Sequence, residues 1–196
     1  AVYTVFLIGN IASGKSTASR YLASRGAFCV DLDQMAKNLY QPGSDIVASI
    51  ADTFGWDVLD ADGAVRPGVL AERAFSSAES TAALNDIVHP VLVQRLSDML
   101  LCPSCTAGYA SPELVVVEIS VPARFTDAFS MADEVLAIAA PRAVRRERAV
   151  QRGMSYDDFD RRASRQPSDE DLAGLADTVI DNTDADEGLF AKIDAW

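Results

Sequence analysis

Eight residues near the start of the chain, Gly9-Asn10-Ile11-Ala12-Ser13-Gly14-Lys15-Ser16, carry the G-x-x-x-x-G-K-[ST] spacing of a phosphate-binding loop. That spacing serves to cradle a polyphosphate. Gly9, Ala12, Ser13 and Gly14 offer backbone N–H groups to the anion, joined by those of Lys15, Ser16 and Thr17 where a helix opens. The Lys15 ammonium can reach the β and γ phosphates, and the Ser16 hydroxyl can ligate Mg²⁺, so ATP and Mg²⁺ are the expected ligands. Such a loop establishes nucleotide binding and leaves the reaction open among GTPases, ATPases and small-molecule kinases. A GTPase would need an Asn-Lys-x-Asp guanine reader. This chain has no Asn-Lys pair and only three lysines.

Carboxylates supply the next chemistry. Phosphorylating a hydroxyl benefits from a carboxylate that orients it and accepts its proton late in transfer. Asp31 and Asp33 end the second expected strand, where ligands of a parallel sheet gather. Position alone does not rank the two, and Asp33 could equally cap the helix that follows. Glu118, after Val115-Val116-Val117, can act through water on Mg²⁺ or simply end a strand. His89, before Pro90, reads on its own as a structural histidine at a helix start.

Charge is uneven. The 196 residues hold 17 Lys plus Arg against 29 Asp plus Glu, a formal net charge of −12 that disfavours a general nucleic-acid binder. Yet residues 142–165 carry eight Arg and four acids, while residues 166–196 carry one Lys and nine acids. The basic island is either a solvated helix face or an anion clamp. Phosphate chemistry favours the clamp. Arg145, Arg148 and Arg152 recur on one helical face, and Arg161, Arg162 and Arg165 follow a Ser155-x-x-Asp158 capping box, so two short helices would form an Arg-rich hairpin lid.

The elements that must position these groups are legible in outline. Residues 2–8 form a continuous apolar run, as expected of a strand buried on both faces. A helix with Ala18, Tyr21 and Leu22 on one side follows, ending at Gly26, and residues 27–30 form a second strand. Residues 34–101 are helical with brief stops. Pro67 opens one helix, and Val91, Leu92, Leu96, Met99 and Leu100 form an apolar stripe on another. Strands resume at 114–119, 135–139 and 178–180. Strands alternating with helices predict an α/β fold with a parallel sheet.

No apolar run approaches the ~18 residues of a membrane span, and residues 2–8 lack a basic leader, so a cytoplasmic location is expected. Cys29, Cys102 and Cys105 are an odd count with no secretory signal ahead of them, which suggests a reducing compartment. Cys102-Pro-Ser-Cys105 has half the ligands of a zinc site and reads as a plain surface connection.

Taken together, these residues resemble the bacterial dephospho-CoA kinases over nearly the whole chain. Beyond the loop, the likeness rests on Val30-Asp31-Leu32-Asp33-Gln34-Met35-Ala36, Gln41-Pro42-Gly43-Ser44, Phe54-Gly55, Asp62-Gly63, Leu84-Asn85-Asp86-Ile87-Val88-His89-Pro90 and Asp181-Asn182. The resemblance implies transfer of the ATP γ-phosphate to the ribose 3′-hydroxyl of 3′-dephospho-CoA, giving CoA and ADP. It implies Asp33 as base, with Asp31 and His89 at the acceptor. Lys15 and Ser16 would contact phosphates and Mg²⁺, and Arg148, Arg152 and Arg162 would be lid arginines. Asn182 is a candidate contact for the base.

The fold it implies is a P-loop NTPase of the nucleoside-monophosphate-kinase type, a single three-layer domain. Its core would be residues 1–33, 112–141 and 174–196, with a helical acceptor cap at about 34–111 and a lid at about 142–173. Small-molecule substrates are expected, with no nucleic acid, membrane or protein partner. The family's loop generally has glycine where this chain has Asn10 and Ala12. Arg66-Pro67 replaces an Asp-Arg pair, and Ser120-Val121-Pro122-Ala123-Arg124 replaces Pro-Leu-Leu-Phe-Glu. Arg124 motivates a second reading, a kinase for another nucleoside-like hydroxyl. A third is a nucleotide-binding protein with little kinase activity, against which Lys15, Ser16 and Asp33 argue.

Overall fold

The computed structural model describes residues 2–108 and 112–196; residues 109–111, where the expected cap ends, lie outside the described residues. The chain divides into two compact units, residues 1–32 with 102–196, and residues 33–101.

The first unit is built on five parallel strands, β1 (Tyr3–Ile8), β2 (Phe28–Asp31), β3 (Leu114–Ile119), β4 (Glu134–Ala139) and β5 (Thr178–Asp181), in the order β2-β3-β1-β4-β5. Strand β1 lies between β3 and β4, pairing Val5 with Val116 on one side and Glu134 on the other. Its residues from Val5 to Ile8 are fully buried, which is why the sequence shows an unbroken apolar run there. On one face Val5 and Leu7 join Leu22, Val116, Leu136, Ile138 and Leu189 in a core. Elsewhere Phe6 meets Phe129 edge-on at 6.1 Å. Helices α1 (Lys15–Ser24) and α10 (Asp186–Ala195) pack together, with Tyr21 stacked on Phe190 at 4.2 Å. Helix α1 ends where expected: Gly26 takes φ +98°, as a residue just past a helix C-terminus commonly does. No described helix is long and apolar enough to cross a membrane.

The Arg-rich region folds as α7 (Arg142–Gln151), α8 (Tyr156–Ala163) and α9 (Asp169–Leu175). Ser155 caps α8, its Oγ accepting from the Asp158 N–H at 3.1 Å, which is the N-cap half of the expected box; the Asp158 carboxylate pairs instead with Arg161 and Arg162. Arg145 does not share an outward face with Arg148 and Arg152. It is 4% exposed, donating from Nε to the Ala140 carbonyl at 2.9 Å, from Nη1 to the Ile11 carbonyl at 3.2 Å and from Nη2 to Asp169 at 3.0 Å. Burial lowers its pKa, and these acceptors offset the cost of burying the charge.

The second unit is helical, as the pattern predicts, apart from one isolated bridge between Leu59 and Val65. Helix α2 (Leu32–Asn38) leads into α3 (Asp45–Phe54), α4 (Pro67–Ala74) and α5 (Ala78–Leu101). Ser44 caps α3, and Pro67 opens α4 in its first turn. Arg73 forks onto Asp57 at 2.6 and 2.5 Å and onto the Phe54 carbonyl at 2.7 Å, holding the Asp57 carboxyl down to about 2. Three expectations change. His89-Pro90 does not start a helix but lies inside α5; a proline forfeits one ladder bond there, and the helix continues through it. Val91 is 40% exposed, while Leu92, Leu96 and Met99 carry the buried stripe. Cys102 and Cys105, read as a plain connection, are disulfide-bonded: Cys102 immediately precedes the short α6 (Pro103–Ala107) and Cys105 lies within it, their Cα atoms 5.4 Å apart.

Replacing Arg145 with Met leaves two carbonyls and the Asp169 carboxylate without their buried donor. The variant is expected to lose about 2–4 kcal/mol of stability in urea unfolding.

Candidate active site

The loop between β1 and α1 is shaped by what cannot fit beside it. A Cβ on Gly9 would lie 2.5 Å from Ser13 Oγ and 2.9 Å from the Ile138 carbonyl. Gly14, at φ +101°, would drive a Cβ to within 2.2 Å of Asn182 Nδ2. The loop is also held from outside: Asn182 Nδ2 donates to the Ser13 carbonyl at 2.8 Å, and the Ser13 N–H closes a turn onto the Asn10 carbonyl at 3.0 Å. Asn182 is buried and its Oδ1 has no partner among the described residues; it supports the loop and is not part of the cavity wall. This position at the carboxyl end of the central strand is the crevice where the strand order of an open parallel sheet reverses.

Residues Gly9 to Thr17 line a cavity of about 310 Å³ whose other walls are Ser120, Arg152, Arg162 and Gln166. Most of the predicted phosphate contacts therefore meet in one place. Lys15 Nζ donates to Ser120 Oγ at 3.2 Å, which steadies the ammonium. Arg152 follows the end of α7, and Arg162 lies on α8, where Asp158 holds it at 3.4 Å. Arg148 does not line this cavity. Its Nη2 donates to the Thr183 and Asp184 carbonyls at 3.2 and 3.1 Å, beside an open recess of about 570 Å³ walled by Ala143, Val144 and Ala185.

Glu118 sits at the end of β3, in register with Asp31 of β2. It is half-buried, and its pKa is raised: burial is the main cause and the Asp31 charge adds to it, while Lys15, a Ser19 hydrogen bond and Arg20 pull the other way. No three His, Cys, Asp or Glu side chains converge as a metal site among the described residues. Asp33 and His89 belong to the 33–101 unit. Helix α2 begins at Leu32, so Asp33 is in its first turn and the preceding position falls to Asp31. Sequence reasoning passed over Ser120 and Gln166. Ser120 stood out only as a departure from the family's segment, and nothing in the sequence marks Gln166.

A family model described as dephospho-CoA kinase matches residues 3–187. A dephospho-CoA kinase of Corynebacterium diphtheriae is 37% identical, over 90% of this chain and 86% of that protein. Among solved structures, a Thermus thermophilus protein superposes with TM-score 0.79 at 27% identity, covering 99% of this chain and 95% of that one. A dephospho-CoA kinase from Campylobacter jejuni gives 0.65 at 20% identity, covering 98% and 94%, a likeness of fold.

Because the fold raises the Glu118 pKa, it favours the protonated carboxyl. Its contribution to stability is complete below the ordinary carboxylate pKa of about 4.3 and is lost as pH rises through the folded value. Glu118→Gln cannot ionise and is expected to be at least as stable as the parent in urea at neutral pH, with the difference closing toward about pH 4.

Proposed function

The chain belongs to the dephospho-CoA kinase family, and on that premise we propose that it transfers the γ-phosphoryl group of ATP to the ribose 3′-hydroxyl of 3′-dephospho-CoA, giving ADP and CoA. The observation that carries this furthest is the convergence of Lys15, Ser16, Arg152 and Arg162 on one cavity over a loop that admits no Cβ at Gly9 or Gly14.

Phosphoryl transfer asks a protein for alignment, exclusion of water and neutralisation of charge on the moving group. Backbone N–H groups of Ala12 and of Gly14 to Thr17 hold the phosphates, the Ser13 N–H being engaged in the loop's own turn, and Lys15, steadied by Ser120, bridges their outer oxygens. Arg152 and Arg162 close from the α7–α8 side as the lid arginines, spreading the charge that builds between donor and acceptor. Mg²⁺ suits this donor set, since it keeps most of its waters and takes few protein ligands. The Ser16 hydroxyl and, through water, Glu118 would hold it, and when bound it neutralises charge on the phosphates. Asp33 orients the 3′-hydroxyl and accepts its proton, with Asp31 and His89 serving the acceptor. Asn182 acts through the loop it supports, and the recess beside Arg148 is suited to the adenine, because it begins one residue beyond Asn182 and pairs apolar walls with a fixed guanidinium plane.

Incubation with MgATP and a panel of dephospho-CoA, AMP, deoxynucleosides and small polyols, followed by ADP release, tests the acceptor. Turnover restricted to dephospho-CoA is expected; turnover of a different acceptor, or tight ATP binding with none, overturns the reading. Asp33→Asn is expected to leave ATP affinity nearly unchanged and to lower kcat by about 10²-fold or more. A near-normal kcat removes Asp33 from catalysis.

A further inference from the structure

The two loop residues that carry side chains where the family's loop generally has glycine both reach into the Arg-rich segment. Asn10 is 6% exposed, and its Nδ2 donates to the Pro167 carbonyl at 2.9 Å. The Ala12 methyl, with Ile11, packs on the small apolar cluster of Ala149, Phe159 and Ala163, flanked by Met154. Ala12 adopts φ +62°, a left-handed conformation that an alanine takes at a cost and a glycine takes freely, so its packing offsets a local strain. Two further bonds run the same way. The Ile11 N–H donates to Gln166 Oε1 at 2.9 Å, and Arg145 joins the Ile11 carbonyl to Asp169. In the segment so fastened, α8 packs on α7 and α9 on β4.

We propose that Asn10 and Ala12 are positioning residues that latch the α8 segment onto the phosphate loop, so that Arg162 and Gln166 already stand at the cavity before nucleotide arrives. The inference rests on the kinase reading only for its consequence: ordering the wall in advance removes a cost otherwise met on ATP binding, and so lowers KM for ATP. The latch itself is a property of the nucleotide-free chain. Neither residue needs to touch a phosphate through its side chain to act this way; each acts through the arginine-bearing helix.

Amide hydrogen exchange of nucleotide-free protein tests it in Asn10→Gly and Asn10→Gly/Ala12→Gly. Exchange across Tyr156–Ala163 is expected to quicken by about fivefold for the lost hydrogen bond, and further in the double variant, while Tyr3–Ile8 and Leu114–Ile119 keep their protection. KM for ATP should rise by a similar factor, with a smaller change in kcat. Gln166→Ala, which cuts the Ile11 bond from the other side, is expected to quicken the same amides and guards against a loop effect of the new glycine. Unchanged exchange in α8, or an equal rise in the two strands, overturns the latch. Faster α8 exchange in a protein that turns over no acceptor leaves the latch standing and removes the kinase reading instead.

Discussion

The site depends on a backbone that comes close enough to bind an anion because no side chain fits between it and its supports. Gly9 is pinned against Ser13 and the Ile138 carbonyl, and Gly14 against Asn182. Ile138 on β4 and Asn182 just past β5 are distant in sequence from the loop, so its shape belongs to the assembled sheet as much as to its own residues. The buried run of β1 supplies the platform, and α1 turns the first N–H groups of its helix toward the same space.

An acidic chain that binds polyanions must do so through a few local donors, since its overall field repels them. Seven of the eight arginines of 142–165 divide by task. Arg145 is an internal tie, Arg142 and Arg146 pair with Asp160, and Arg161 pairs with Asp158. Arg152 and Arg162 face the cavity, and Arg148 faces the recess beside Thr183. The basic island is thus mostly structural, and its usable charge is smaller than its count.

The fold was legible wherever the signal is local. The apolar runs placed all five strands to within one residue at either end, because parallel strands covered on both faces are continuously apolar. Gly26 and the Ser155 box marked helix termini for the same local reason. His89-Pro90 misled, since a proline signal does not say whether the packing of a long helix will carry it through. The Cys102–Cys105 bond needed the turn that brings the two together.

By itself the sequence determined the strand, loop and helix that bind phosphate, and the identities of Lys15, Ser16 and the candidate base Asp33. The phosphate loop needs residues that are neighbours along the chain, and Asp33 was legible from its place at the end of the second expected strand. Only the tertiary structure decided which groups serve the loop from afar: Asn182 under Ser13, Ser120 on Lys15, Arg145 on the Ile11 carbonyl and the Pro167 carbonyl on Asn10. Those pairs lie between 105 and 169 residues apart in sequence, and polar side chains take whichever acceptor the folded chain brings within about 3 Å.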